Sequence, residues 1–239
     1  MTETNLSKTG PRLLLLPVPI VPEAWHTLPA ETLEAARSCR HFYVENLRSA
    51  RRFLKGVWAE KDIDRCFFEE IPKDEPPDLA SLRAWTQAGE TVAVMSEAGC
   101  PGIADPGALV VAAAHQLGIP VTPLTGPSAL ILALMASGLN GQSFAFNGYL
   151  PVKNPQRSQQ IRFFEQRAHK ENQTQLFIET PYRNNALLAD LLQNCQPHTR
   201  LCIALNIGGP EAFVQTQTIK SWKQSPPVLS KAPAVFLML

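Results

Sequence analysis

Apolar residues fall along this chain in short runs broken by proline, glycine and asparagine, with longer segments of helical period between them. Residues 12–18, 41–44, 91–95 and 119–124 have the length of buried strands, and 63–70 reads as a further short one. Residues 29–37, the segment after Asn46, 79–88 and 108–117 read as helices, with Asn46 placed as an N-terminal cap. Residues 72–78 form a polar, proline-containing linker. Thr125-Gly126-Pro127-Ser128 opens a strongly apolar helix that continues through Ser137. Beyond it the strand-like segments 144–146, 175–179, 201–206, 212–219 and 234–239 lie closer together, with a helix at 184–193 and a hairpin-like end.

Strands alternating with helices predict a mostly parallel sheet for the first half, and the crowded strands of the second half predict a mixed one. The expected organisation is a polar, disordered tail over 1–11, an N-terminal α/β lobe over 12–124 and a C-terminal α/β lobe over 125–239. A boundary there sets a cleft between the lobes as the default binding site.

Composition narrows the class without naming a function. The 239 residues are 45% hydrophobic and 18% charged, which is ordinary for a globular protein. No apolar run approaches the roughly 18 residues of a membrane span. Leu13 to Leu16 is too short for a signal peptide, and no small-residue cleavage site follows it. The five cysteines are scattered and include no C-x-x-C pair, which predicts reduced thiols in a cytoplasmic protein and no zinc site. A formal net charge of +1 gives no global attraction to nucleic acid, although it leaves room for a local basic patch.

The candidate chemistry centres on Ser96 to Gly107, a twelve-residue loop with three glycines and two prolines between a strand and a helix. Glycine permits positive φ and close backbone approach, and proline fixes φ, so the loop is shaped for either a ligand or a tight turn. It contains neither G-x-G-x-x-G nor G-x-x-x-x-G-K-[ST]. Cys100 within it has no histidine nearby in sequence and reads as a packing residue. After Asn46, Arg48, Arg51, Arg52 and Lys55 recur at helical spacing on one face, either a solvated surface or a seat for an anion. A second basic run contains Lys153, Arg157, Arg162, Arg167 and Lys170.

Taken together, these motifs resemble the tetrapyrrole-methylase superfamily of S-adenosylmethionine-dependent methyltransferases, and within it the ribosomal RNA small-subunit methyltransferase I branch. The likeness rests on Ser96–Gly107, with Glu97 and Cys100 as departures, on Pro123-Leu124-Thr125-Gly126-Pro127, on Phe146-Asn147-Gly148-Tyr149-Leu150-Pro151 and on Pro17-Val18-Pro19-Ile20. The resemblance implies two α/β lobes with the cofactor in a cleft between them, a homodimer and no metal. By position it assigns Ser96, Glu97, Ala98, Gly99 and Ile103 to one side of S-adenosylmethionine, and Ser128, Ala129, Phe146, Gly148 and Leu150 to the other.

The departures cluster on the substrate side. Val21-Pro22-Glu23-Ala24-Trp25 stands where the branch carries Gly-Asn-Leu-x-Asp, and Val44-Glu45-Asn46-Leu47-Arg48 keeps only the Glu and Arg of Ala-Glu-Asp-Thr-Arg. For an RNA ribose 2′-hydroxyl as acceptor, Glu45 is the candidate base, with Arg48, Arg51 or Arg183 holding phosphate. Glu45 reads equally well as a helix-entry carboxylate. A ribosomal subunit or RNA is the expected partner; a tetrapyrrole or other small-molecule acceptor, and a non-catalytic cofactor-binding module, are the rival readings.

Overall fold

The computed structural model describes residues 10–58, 60, 62–72 and 77–239. The tail expected over 1–11 falls outside these up to residue 9, as does the middle of the linker expected over 72–78. The chain divides into two compact units, one ending at Ser128 and the other covering Ala129–Leu239.

The first unit is built on β1 (Leu13–Leu15), β2 (His41–Val44), β3 (Phe67–Glu70), β4 (Val92–Met95) and β5 (Val121–Pro123), in the order β3-β2-β4-β1-β5. Every pairing is parallel. Parallel strands need both faces covered, and the alternation in β2 and β4 supplies two apolar faces. Phe42, Val44, Ala93 and Met95 pack with Ala35 of α1 (Ala30–Ser38) and with Ala50, Phe53 and Leu54 of α2 (Leu47–Val57). Tyr43, Val92 and Val94 pack on the other face with Leu82 of α3 (Ala80–Gln87) and with Val110, Ala113 and Ala114 of α4 (Gly107–Gln116). Asn46 caps α2 as expected, its Oδ1 accepting the Ser49 N–H at 3.0 Å.

Three first-half expectations are shortened, the simplest being 119–124, which pairs only as β5. The strand expected over 12–18 pairs only as β1, because Pro17 has no N–H to continue the ladder. Val18 rejoins through a single bridge to Gly99. In the strand expected over 63–70, Ile63–Arg65 is a 3-10 turn held by the Arg65 N–H on Asp62 O at 3.2 Å, and only β3 extends.

The Tyr43 phenol is 1% exposed, donates to Asp78 O at 2.7 Å and accepts the Leu82 N–H at 3.0 Å. Burial pushes its pKa up from 10.0 to about 12. A folded pKa above the unfolded one means the phenol's contribution is intact below pH 10 and lost as pH rises from there towards 12. Urea midpoints should therefore fall across that window by the equivalent of about 2–3 kcal/mol. A Tyr43→Phe variant, less stable at neutral pH, should show a shallower slope. Parallel slopes would refute the assignment.

The second unit carries a mixed sheet of β6 (Phe144–Tyr149), β7 (Thr174–Glu179), β8 (Arg200–Leu205), β9 (Phe213–Thr218) and β10 (Ala234–Met238), ordered β6-β7-β10-β8-β9. β6 and β7 are parallel and the other pairs antiparallel. One face packs on α5 (Ala129–Ser137); the other covers Phe177, Ile203 and Phe236 with α6 (Gln156–Glu171), α7 (Asn184–Asn194) and α8 (Ile219–Gln224).

The expected hairpin-like end is corrected. β9 and β10 do not pair; α8 intervenes and β10 inserts between β7 and β8. Every residue of β10 is buried, which suits a central strand, whereas β9 is half-buried with Gln215 exposed and takes the edge. The second basic run is mostly helix α6, whose inward face mixes Ile161 and Ala168 with buried Arg157 and Glu165. Those charges interrupt the apolar period that would have marked it.

Candidate functional site

In the first unit the carboxyl ends of β1, β2 and β4 open onto a pocket of about 240 Å³. Three segments form its walls. Val18, Ile20 and Val21 follow β1, Ser96, Glu97 and Ala98 follow β4, and Arg52 and Phe53 come from α2. Trp25, which replaces a polar position of the related motif, closes one side with its ring 5.6 Å from that of Phe53. Glu23 also lines the pocket, with φ at +62°, an uncommon backbone for a non-glycine residue.

The loop after β4 is braced from three directions. Gly99 and Val18 exchange N–H···O bonds of 3.0 and 3.1 Å. Ser96, 6% exposed, donates its hydroxyl to Gly99 O at 3.1 Å. Glu45 Oε2 accepts the Glu97 N–H at 2.9 Å. Gly99 itself has φ +77°, and a Cβ there would stand 3.3 Å from both Ile20 Cγ2 and Pro127 O.

The second half of the loop is self-contained. Asp105 accepts the N–H groups of Gly102 at 2.9 Å and of Gly107 at 2.6 Å, which folds the chain into the start of α4. That satisfies the Asp-Pro-Gly part of the motif without a ligand. Ile103, 47% exposed, is outside the pocket lining. Cys100 donates its thiol to Pro127 O at 3.4 Å, and burial raises its pKa, so its thiolate is suppressed.

The Thr125-Gly126-Pro127-Ser128 turn ends the first unit. Thr125 O accepts the Thr32 hydroxyl at 2.8 Å, and a Cβ on Gly126 would overlap the Pro17 ring. A proline ring pinned in the backbone cannot swing aside. Gly126→Ala should cost about 1–3 kcal/mol, read as a lowered urea midpoint with unchanged slope.

The predicted cations separate. Arg48, Arg52 and Lys55 are exposed on α2, with Arg52 at the pocket, whereas Arg51 pairs with Asp64 at 3.2 Å. Arg183, in the second unit, is tied to the buried Glu179 at 2.7 Å, a hydrogen bond that raises its pKa further. Ala129 begins α5 and Phe146 packs partly against the same core cluster. Gly148, φ +65°, sits where the register of β6 shifts between Phe146 and Tyr149, and Leu150 is a core residue, 3% exposed.

Trp25 and Phe53 line the pocket without having been expected there, whereas Arg52 belongs to the cationic face already read as a possible seat for an anion. Trp25 is visible in the sequence only as a departure from a motif, and Phe53 only as a helix position. Among the described residues no group of three or more His, Cys, Asp or Glu stands ready for a metal. No helix among them is long and apolar enough to cross a membrane.

The chain belongs to the tetrapyrrole (corrin/porphyrin) methylases, whose family model matches residues 19–221. Among its relatives, the ribosomal RNA small subunit methyltransferase I of Xylella fastidiosa is 46% identical over 172 residues, 71% of this chain and 56% of that protein. The protein of the same name from Vibrio cholerae is 41% identical over 193 residues, 80% of this chain and 64% of that protein. This chain thus spans between 56% and 64% of the length of these relatives. The fold is similar to that of uroporphyrin-III C-methyltransferase from Thermus thermophilus, solved with S-adenosyl homocysteine, at a TM-score of 0.55 and 17% identity over 95% of this chain and 96% of that one.

Proposed function

We propose that this chain is an S-adenosylmethionine-dependent methyltransferase acting on RNA, at a ribose 2′-oxygen of small-subunit ribosomal RNA or a related site. The observation that carries this reading is the identity of 41–46%, over 71–80% of this chain, to relatives named ribosomal RNA small subunit methyltransferase I.

The pocket chemistry fits the cofactor. Apolar walls from Val18, Ile20, Trp25 and Phe53, with the Glu97 and Glu23 carboxylates beside them, suit an amphiphilic molecule carrying a sulfonium and an ammonium. When bound, S-adenosylmethionine supplies an electrophilic methyl group. What the protein must add is alignment of the acceptor and exclusion of water. Ser96 to Gly99 holds one wall rigid, Trp25 and Phe53 shed water, and Arg52 with Arg48 offers positive charge to a phosphate.

A cytoplasmic location accords with this reading and with the five free cysteines. We also infer a homodimer, in keeping with α5 exposing Ile131 and Met135; sedimentation at micromolar concentration tests it. The activity is tested with radiolabelled S-adenosylmethionine and small ribosomal subunits from cells lacking this protein. Nuclease-sensitive label in the subunit RNA is expected. Label absent from RNA, with cofactor binding intact, would overturn the acceptor.

A further inference from the structure

Glu45 sits at the carboxyl end of β2, where its backbone and its side chain each reach the segment that follows β4. Its N–H donates to Met95 O at 3.1 Å, and its Oε2 accepts the Glu97 N–H at 2.9 Å. Met95 and Glu97 flank Ser96, so Glu45 clips the chain where β4 turns into the loop. On the far side the loop is held by the Val18–Gly99 bridge. Between the two clips lie Ser96, Glu97 and Ala98, the residues that form one wall of the pocket, while Glu45 itself does not line it.

We propose that Glu45 is a positioning residue for the 96–99 loop and does not take a proton from the acceptor. A general base needs an oxygen within hydrogen-bond reach of the reacting hydroxyl. Glu45 is absent from the pocket lining, and its Oε2 accepts a backbone N–H in a charge-assisted bond, stronger than a neutral one. What the loop holds rests on the methyltransferase reading; the clip does not.

The test compares the wild type with Glu45→Gln and Glu45→Ala. Three quantities are measured: hydrogen exchange at the Glu97 amide, affinity for S-adenosylhomocysteine by calorimetry, and methyl transfer against pH. The glutamine carbonyl accepts the same N–H, so Glu45→Gln should keep Glu97 protection and ligand affinity within roughly threefold of wild type. Glu45→Ala should lose protection and bind about 10–150-fold more weakly, the worth of one hydrogen bond to a charged group. Two outcomes overturn the proposal. One is Glu97 exchange that is equal in all three proteins. The other is a Glu45→Gln protein that binds normally but transfers methyl about 10²–10⁴-fold more slowly with the acid limb of its pH profile gone, the signature of a lost base. A wild type that fails to bind the ligand refutes the methyltransferase reading, and the exchange data still decide the clip.

Discussion

Arg157→Ala should cost the second unit about 3–5 kcal/mol, the penalty for stripping one partner from a buried ion pair. Arg157 is 5% exposed although it lies in a run of cations. Its Nε donates to Pro151 O at 2.8 Å, one terminal nitrogen reaches Asp190 at 2.9 Å, and the other donates to Val152 O. Removing the guanidinium leaves Asp190, itself mostly buried, with only the Asn154 amide at 3.2 Å, and strips a donor from two carbonyls. Arg157→Lys should recover little, because a single ammonium cannot match the planar fork at three acceptors. The measurement is urea unfolding followed by near-ultraviolet dichroism. Under conditions where the variant is folded, its affinity for RNA should equal the wild type's. A stable variant with weakened RNA binding would return Arg157 to the surface role its sequence neighbours suggest.

Gly99→Val should abolish binding of S-adenosylhomocysteine while leaving the chain folded. At φ +77° a β-branched residue is strained by about 1–2 kcal/mol or more. Its Cβ would already stand 3.3 Å from Ile20 and from Pro127 O, and the branches beyond it have no room. The chain must move, and movement here breaks the bridge to Val18 and shifts the pocket wall at Ala98. Gly89→Ala is the control: it has φ +87°, nothing within 4 Å of the added Cβ and no part in the pocket. Calorimetry should find wild-type affinity in the control and none in Gly99→Val. Equal affinity in both would sink the idea that this loop holds the cofactor.

Why some of this was legible in the chain and some was not has physical causes. Strands β2 and β4 announced themselves because a parallel sheet covered on both faces leaves nearly unbroken apolar runs. Asn46 was legible because a cap acts over three residues of sequence. The Ser96–Gly107 loop was recognisable as shaped, yet two different demands had written it. Asp105 and Gly107 answer a turn, and Gly99 answers an approach by Ile20 and Pro127. Spacing alone does not separate those demands. Helix α6 stayed hidden because its buried face carries Arg157 and Glu165, whose partners Asp190, Gln196 and Thr199 are distant in sequence. The neighbours of β10 were hidden for the same reason: which strand flanks which is a long-range fact.

That strand order also bears on synthesis. All five strands of the first sheet lie before residue 124, so that unit can close while the rest of the chain is still being made. The second sheet cannot. β7 and β8 have no bond to each other, and each presents an open edge until residues 234–238 have cleared the ribosomal tunnel and filled the gap. Until then β7 and β8 each have an edge that β10 alone fills, and unfilled strand edges are open to mispairing. The moment at which the second sheet can close is therefore set by β10.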